Sequence, residues 1–233
     1  FNMNVVEGAS MALRMDDVSA RGTGDLFVVD VRNSAFNGTV TTSNFSDSTT
    51  GSGVRMNLLN ATGRLSFDDL VSNRNAVNGI EVDATGAGTD FLLSVVDSRL
   101  LANTGSGMHI DVTGGADLRH FVDPTFVTLS GGSGLEYNVS GAGSVYIADI
   151  IATDFSESGL HAIDGYVFDG AFANVDLINT PGVLAGLNPT HPDYAALKAE
   201  LAATPKAQKT QRALIRANMD RWRWLQRDLG GQY

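Results

Sequence analysis

Between Gly53 and Gly159 short bursts of alternating apolar and polar residues recur, each one following a glycine. They read Val54-Arg55-Met56-Asn57, Ile80-Glu81-Val82-Asp83, Met108-His109-Ile110-Asp111, Leu135-Glu136-Tyr137-Asn138 and Leu160-His161-Ala162. The preceding glycines, Gly53, Gly79, Gly107, Gly134 and Gly159, are 26, 28, 27 and 25 residues apart. Strand-type alternation repeated at a nearly fixed period of this length is the signature of stacked coils, because one coil cannot bury its own apolar face. The expected fold is mainly β: a right-handed parallel β-helix of about six coils over residues 1–180, followed by a C-terminal α-helical segment over 181–233.

Alternation also assigns the side chains. Successive strand residues face opposite ways, so Val54/Met56, Ile80/Val82, Met108/Ile110, Leu135/Tyr137 and Leu160/Ala162 are expected to stack inward. A second strand follows each burst after a turn that is often Gly-rich: Leu65-Ser66-Phe67, Phe91 to Val96, Phe121-Val122 and Val145 to Ala148. Each is followed by an aspartate, giving the series Asp69, Asp97, Asp123 and Asp149. Asp123, with Pro124 beside it, lies one residue further from the next glycine than the others do, and a bulge would absorb the excess. A less regular copy over residues 1–30 reads as the first turn, and residues 31–52 complete the next. Six coils about 4.8 Å apart give a rod on the order of 30 Å long, whose open ends need covering.

After Asp176 the pattern stops. Thr180-Pro181-Gly182 and Asn188-Pro189-Thr190-His191-Pro192-Asp193 are breaker clusters, and Tyr194 to Ala203 reads as a short helix. Thr204-Pro205 supplies the start signals of a longer helix that Gly230-Gly231 would end. Leu214, Ile215, Met219, Trp222, Leu225 and Leu229 form its apolar stripe, while Trp224 lies off the stripe and calls for a second covering surface.

Composition sharpens this division. The net charge of −10 argues against nucleic acid as a partner, since phosphate binding needs a basic face. Residues 1–180 hold 22 acids against 8 Arg and no Lys, whereas 181–233 hold 4 acids against 8 Lys and Arg. There is no cysteine, hence no thiolate nucleophile, thiolate metal site or disulfide within these residues. No stretch is apolar for long enough to span a membrane. Phe1 is not an initiator Met and the chain stops in mid-pattern at Tyr233, so the sequence reads as a piece of a longer one, with any signal peptide out of view.

The segment Ile215 to Gly230, with Asn218-Met219-Asp220-Arg221-Trp222-Arg223-Trp224-Leu225-Gln226-Arg227-Asp228-Leu229-Gly230, resembles the scaffold segment that precedes the catalytic domain of one branch of bacterial L,D-transpeptidases. The lead-in His191-Pro192-Asp193-Tyr194-Ala195-Ala196-Leu197-Lys198 is similar to that family too. The resemblance covers about residues 187–233 and implies a peptidoglycan-remodelling protein of the cell envelope, extracellular, surface-bound or periplasmic. It further implies that Trp222, Arg223 and Trp224 contact a downstream domain. That domain's Cys nucleophile, carried on a Ser-x-Gly-Cys motif, lies beyond these residues, so they cannot perform transpeptidation themselves. Gln226 stands where the family usually has Pro, and the helix is expected to run on through it. The repeats resemble pectate-lyase-like β-helix proteins in architecture, without the Gly-His-Gly or Arg-Ile-Lys motifs of polygalacturonase-like enzymes.

Candidate chemistry lies on the outward positions of the glycine strands. One column reads Arg55, Glu81, His109, Glu136, His161 and the next Asn57, Asp83, Asp111, Asn138. In register, Glu81, Asp83, His109, Asp111 and Glu136 would share one patch. Three readings are open for it. Paired acids could cleave cell-wall or extracellular polysaccharide. Oxygens from neighbouring coils, such as those of Asp83 and Asp111, together with a His could hold Ca²⁺ there, and the stacked strand-end aspartates that include Asp97 and Asp149 could separately hold a cation. Alternatively, opposite charges on successive coils pair across strands on a solvated face and fix register. For the chain as a whole three functions are open: a non-catalytic envelope or surface module, a carbohydrate-active or carbohydrate-binding β-helix, and an adhesin or passenger-type repeat.

Overall fold

The computed structural model describes residues 1–155 and 161–178. They form a parallel β-solenoid of about six turns with three faces. The expected helices and Trp222, Arg223 and Trp224 lie outside the described residues.

Face one stacks β1 (Asn2–Val6), β4 (Phe27–Arg32), β7 (Val54–Leu59), β9 (Ile80–Thr85), β12 (Met108–Thr113), β15 (Leu135–Ser140) and β17 (Ile163–Phe168). Face two stacks β2 (Ser10–Asp16), β5 (Ala35–Thr41), β8 (Thr62–Asp68), β10 (Asp90–Val96), β13 (Asp117–Asp123), β16 (Val145–Ile151) and β18 (Phe172–Ile178). The third face was not foreseen, because its strands are too short to alternate visibly. It comprises β3 (Ser19–Gly22) with β6 (Asn44–Ser48) and β11 (Arg99–Leu101) with β14 (Phe126–Thr128). Single bridges from Val71 to Asn44 and Arg99, and from Phe126 to Asp154, continue this face between and beyond those pairs. Strands β4 and β5 belong to the second coil, so the first turn ends at Gly22 and not near residue 30.

The repeat glycines mark a column with no room for a side chain. A Cβ on Gly79 would come within 2.6 Å of the Gly107 carbonyl oxygen, and one on Gly107 within 2.1 Å of Val127. Backbone bonds from Gly53 to Asn78, from Gly79 to Ser106 and from Gly107 to Ser133 keep the column in register. In the last coil the place belongs to the fully buried Ala162, whose carbonyl accepts from Leu135. The expected phase of that coil, set from Gly159, is therefore wrong by three residues. Ile163, not Leu160, pairs with Leu135.

Inside, Phe27, Val29, Met56, Leu58, Ile80, Val82 and Ile110 are sealed from solvent together with Phe36, Leu65, Phe67 and Phe91 from face two. The rings of Phe27 and Phe45 stack with centroids 5.0 Å apart, and Phe67 meets Phe27 edge-on. Such burial is the main stabilisation of the rod, at roughly 25 cal/mol per Å² of apolar surface.

The corner before face one has a different interior, an amide ladder. Asn75 Oδ1 accepts from the Ser48 N–H at 3.0 Å, and Asn103 Oδ1 accepts from the Asn75 N–H at the same distance. Asn75 Nδ2 donates to the Phe45 carbonyl and to Asn103 Oδ1. Each asparagine thus satisfies backbone groups of the coil before it, which a buried turn cannot leave unpaired. At the corner after face two, Ser43, Ser98 and Thr153 each bond a carbonyl two residues earlier.

The aspartates at the ends of the second strands do not form one column. Asp69 and Asp97 occupy equivalent left-handed turn positions, with φ of 58° and 49°. Asp123 is still in its strand, opposite Val96, and Asp149 lies opposite Phe121. No bulge occurs at Asp123; β13 pairs continuously with both neighbours, and Pro124 follows where Asp69 and Asp97 turn. At the equivalent turn position Asp97 donates its N–H to the Asp123 carbonyl at 3.0 Å, a bond for which Pro124 has no N–H.

Candidate functional site

The outer side of face one carries the expected grid, and register fixes its rows. Arg55, Glu81, His109 and Glu136 are consecutive partners, as are Asn57, Asp83, Asp111 and Asn138. His161 is not the fifth member of the first column; the three-residue change of phase puts Asp164 opposite Glu136 and Tyr166 opposite Asn138.

Two cations organise the carboxylates. Arg55 reaches across one coil boundary and donates through Nη1 to Glu81 at 2.8 Å and through Nη2 to Asp83 at 2.7 Å. Glu81 also accepts from the Ser52 hydroxyl at 2.6 Å. One coil further on, His109 lies between Asp111, with Nε2 at 3.3 Å, and Glu136, with Nδ1 at 3.5 Å. Asn138 Nδ2 donates to Asp111 at 2.8 Å, and the Ser106 hydroxyl donates to Glu136 at 2.8 Å. The five candidate residues Glu81, Asp83, His109, Asp111 and Glu136 therefore do meet on one patch, divided into an arginine cluster and a histidine cluster.

The electrostatics follow from the contacts. The bond to Asp111 raises the His109 imidazolium to about 9 against the opposing effect of burial, and the charges of Asp111 and Glu136 add to the rise. The same bond, with help from Asn138, holds the Asp111 carboxyl below its usual range. Burial raises Asp83 despite Arg55, and the neighbouring charges of Glu81 and Asp111 contribute. At neutral pH His109 is a cation paired with two carboxylates, and it is unsuited to act as a free base.

The remaining cation-ligand candidates do not converge on this patch. Asp83 and Asp111 are strand partners, whereas Asp97 sits at the turn after face two and Asp149 on face two itself, opposite Phe121 and Asp176. Asp149 is raised by burial and by the charge of Asp176. Among the described residues no group of three or more His, Asp or Glu is arranged to hold a metal ion.

Two outer-face residues escaped the sequence reading. Tyr166 and Phe168 project from β17 beyond Asn138 and Ser140, with ring planes 3° from parallel and centroids 6.2 Å apart. The alternation Ile163-Asp164-Gly165-Tyr166-Val167-Phe168 would have revealed them had Ala162 been recognised in the place of the repeat glycine.

A parallel β-solenoid with an ion-paired outer face is the class that fold and site define. No family model matches the chain, no curated protein matches it, and no solved structure matches it.

Proposed function

We propose that this chain is a non-catalytic module of the cell envelope or cell surface, a right-handed β-helix rod that spaces and presents the segment after it. The observation that carries this reading is the engagement of Glu81 and Asp83 by Arg55, and of Asp111 and Glu136 by His109. Polysaccharide cleavage needs one carboxyl poised to give up a proton and another free to attack or to activate water. Here each carboxylate is tied to a cation of the fold, which favours a role in coil register. The resemblance of residues 187–233 to the L,D-transpeptidase scaffold supports an envelope setting, with Trp222, Arg223 and Trp224 as the contact to a catalytic domain further along the reading frame.

Two measurements test it. The chain is incubated with acidic polysaccharides with and without Ca²⁺, and products are followed by chromatography. No shortening is expected, while cleavage abolished by Asp111→Ala would overturn the reading. Downstream of Tyr233 the gene is expected to encode a Ser-x-Gly-Cys motif, and a stop codon directly after Tyr233 would remove the transpeptidase connection.

A further inference from the structure

We propose that the outer side of face two, over β10, β13 and β16, is a docking surface for an amphipathic helix with basic flanks belonging to a partner protein. This surface is distinct from the patch on face one and independent of the envelope reading. The outward residues of face two change character along the rod. On β2, β5 and β8 they are Ser10, Ala12, Arg14 and Asp16, then Ala35, Asn37, Thr39 and Thr41, then Thr62, Arg64, Ser66 and Asp68, with no large apolar group among them. On β10, β13 and β16 the outward positions include Leu92 and Val96, Phe121, and Val145, Ile147 and Ile151. These six are half-buried, whereas the inward residues between them, such as Phe91, Leu93, Tyr146 and Ile150, are sealed in the core.

Strands of this kind read as nearly continuous apolar runs, Phe91-Leu92-Leu93-Ser94-Val95-Val96 and Val145-Tyr146-Ile147-Ala148-Asp149-Ile150-Ile151. In a parallel sheet such runs accompany a second layer on the outside, because a face left in water alternates with polar residues, as Asn37, Thr39 and Thr41 do on β5. The size of the patch selects the layer. Three coils span about 10 Å, and Val145 to Ile151 spans about 20 Å. An α-helix is about 10 Å across and covers 20 Å in about 13 residues, so one helix laid along the strands covers all six side chains. An extended segment on the same spot finds no sheet edge there to satisfy its backbone, whereas a helix satisfies its own.

Charge selects the kind of helix. The outward ionisable residues of these three strands are Asp90, Asp117, Asp123 and Asp149 against Arg119, and Arg119 lies 3.4 Å from Asp117. Burial, with the charge of Asp176 added, raises the Asp149 carboxyl, which is the response of an acid to a low-dielectric, like-charged setting. On face one, by contrast, Arg55 and His109 already occupy the acids. A helix with Lys or Arg beside its apolar stripe complements the acids of face two, and an acidic helix is repelled by them.

The test is fluorescence anisotropy of two labelled peptides of about 14 residues titrated with the full chain. One peptide carries Leu and Lys at helical spacing, and its counterpart has Glu in place of every Lys. The Lys peptide is expected to bind, and the Glu peptide about tenfold more weakly or not at all. Ile147→Ser and Leu92→Ser should each weaken the Lys peptide about three- to tenfold, as loss of one apolar contact implies. Asp149→Asn should weaken it about twofold or more through the lost charge. Thr39→Ala, on the polar stretch of the same face, should leave binding unchanged. Absence of binding, equal binding of the two peptides, or binding indifferent to Ile147→Ser overturns the proposal. If a serine variant fails to fold by circular dichroism, Asp149→Asn takes its place, since Asp149 is exposed and the change is polar for polar. Binding unaltered by that substitution then counts against the site.

Discussion

His120 Nδ1 lies 2.9 Å from the Tyr146 hydroxyl oxygen in the interior of the solenoid, where both side chains are sealed from solvent. Among the described residues His120 Nε2 has no partner. Burial pushes His120 down to about 3, so it stays neutral in the folded chain and protonates near 6.5 once unfolded. The unfolded state then binds the extra proton, and stability falls as pH drops from about 6.5 towards 3. Urea titrations at stepped pH should show this slope, and His120→Leu/Tyr146→Phe should flatten it. The single change Tyr146→Phe should cost about 1–3 kcal/mol by orphaning Nδ1, with part recovered in the double variant.

His109 acts in the opposite sense. Its folded value of about 9 exceeds the unfolded one, so its contribution is fully present below about pH 6.5 and is lost as pH rises through 9. His109→Gln should lower the melting temperature at pH 6 and change it little at pH 10. A variant equally destabilised at both values would contradict the ion pairing.

Arg55 pairs with two carboxylates at once, Glu81 and Asp83. Arg55→Gln should destabilise the chain by about 1–3 kcal/mol, because two half-buried acids on adjacent outward positions are left facing each other. Adding Glu81→Gln and Asp83→Asn should restore most of the loss. Failure of the triple variant to recover would mean that Arg55 acts through packing.

Asn75 joins three coils through its amide, reaching Ser48, Phe45 and Asn103. Asn75→Ala should cost about 1–3 kcal/mol, since it strands the buried Ser48 N–H and removes one of two donors to the Phe45 carbonyl, which keeps the Ser72 hydroxyl. Asn75→Asp keeps the acceptor but loses the donor and should also destabilise at neutral pH. Denaturant midpoints of the two variants check this.

Gly165 faces Tyr137, and a Cβ there would fall 2.0 Å from the Tyr137 ring. Gly165→Ala should therefore displace that ring, seen as altered near-ultraviolet circular dichroism, with the melting temperature lowered. Tyr137→Val in the same chain should relieve the clash.

Much of this architecture was legible because period and alternation are local properties of sequence. Inward Ile80 and Val82 and outward Glu81 and Asp83 can be assigned from four adjacent letters. What escaped depends on space between coils. Ala162 fills a place that elsewhere demands glycine, so a rule keyed to glycine sets the last coil out of phase and hides Tyr166 and Phe168. The third face has strands as short as three residues, too few to display alternation. Asp149 joins the aspartate series only when spaced from Gly159, whereas the repeat position is Ala162; measured from there it falls three residues before the turn, inside its strand. Residue types placed the candidate patch and allowed ion pairing across coils; which acid meets which cation depends on side-chain reach between coils.

Along the first outer column the charges run Arg55, Glu81, His109, Glu136. Stacked coils of similar shape are interchangeable to hydrophobic packing, which cannot tell a neighbour from a next-nearest neighbour. Were the chain to skip residues 80–107 while collapsing, Met108 would settle in the place of Ile80 and His109 would land against Arg55, cation on cation. From β7 to β15 sign alternation thus numbers the coils, and it makes slippage by one whole repeat, a misfolding to which a periodic rod is exposed, an arrangement that electrostatics rejects there.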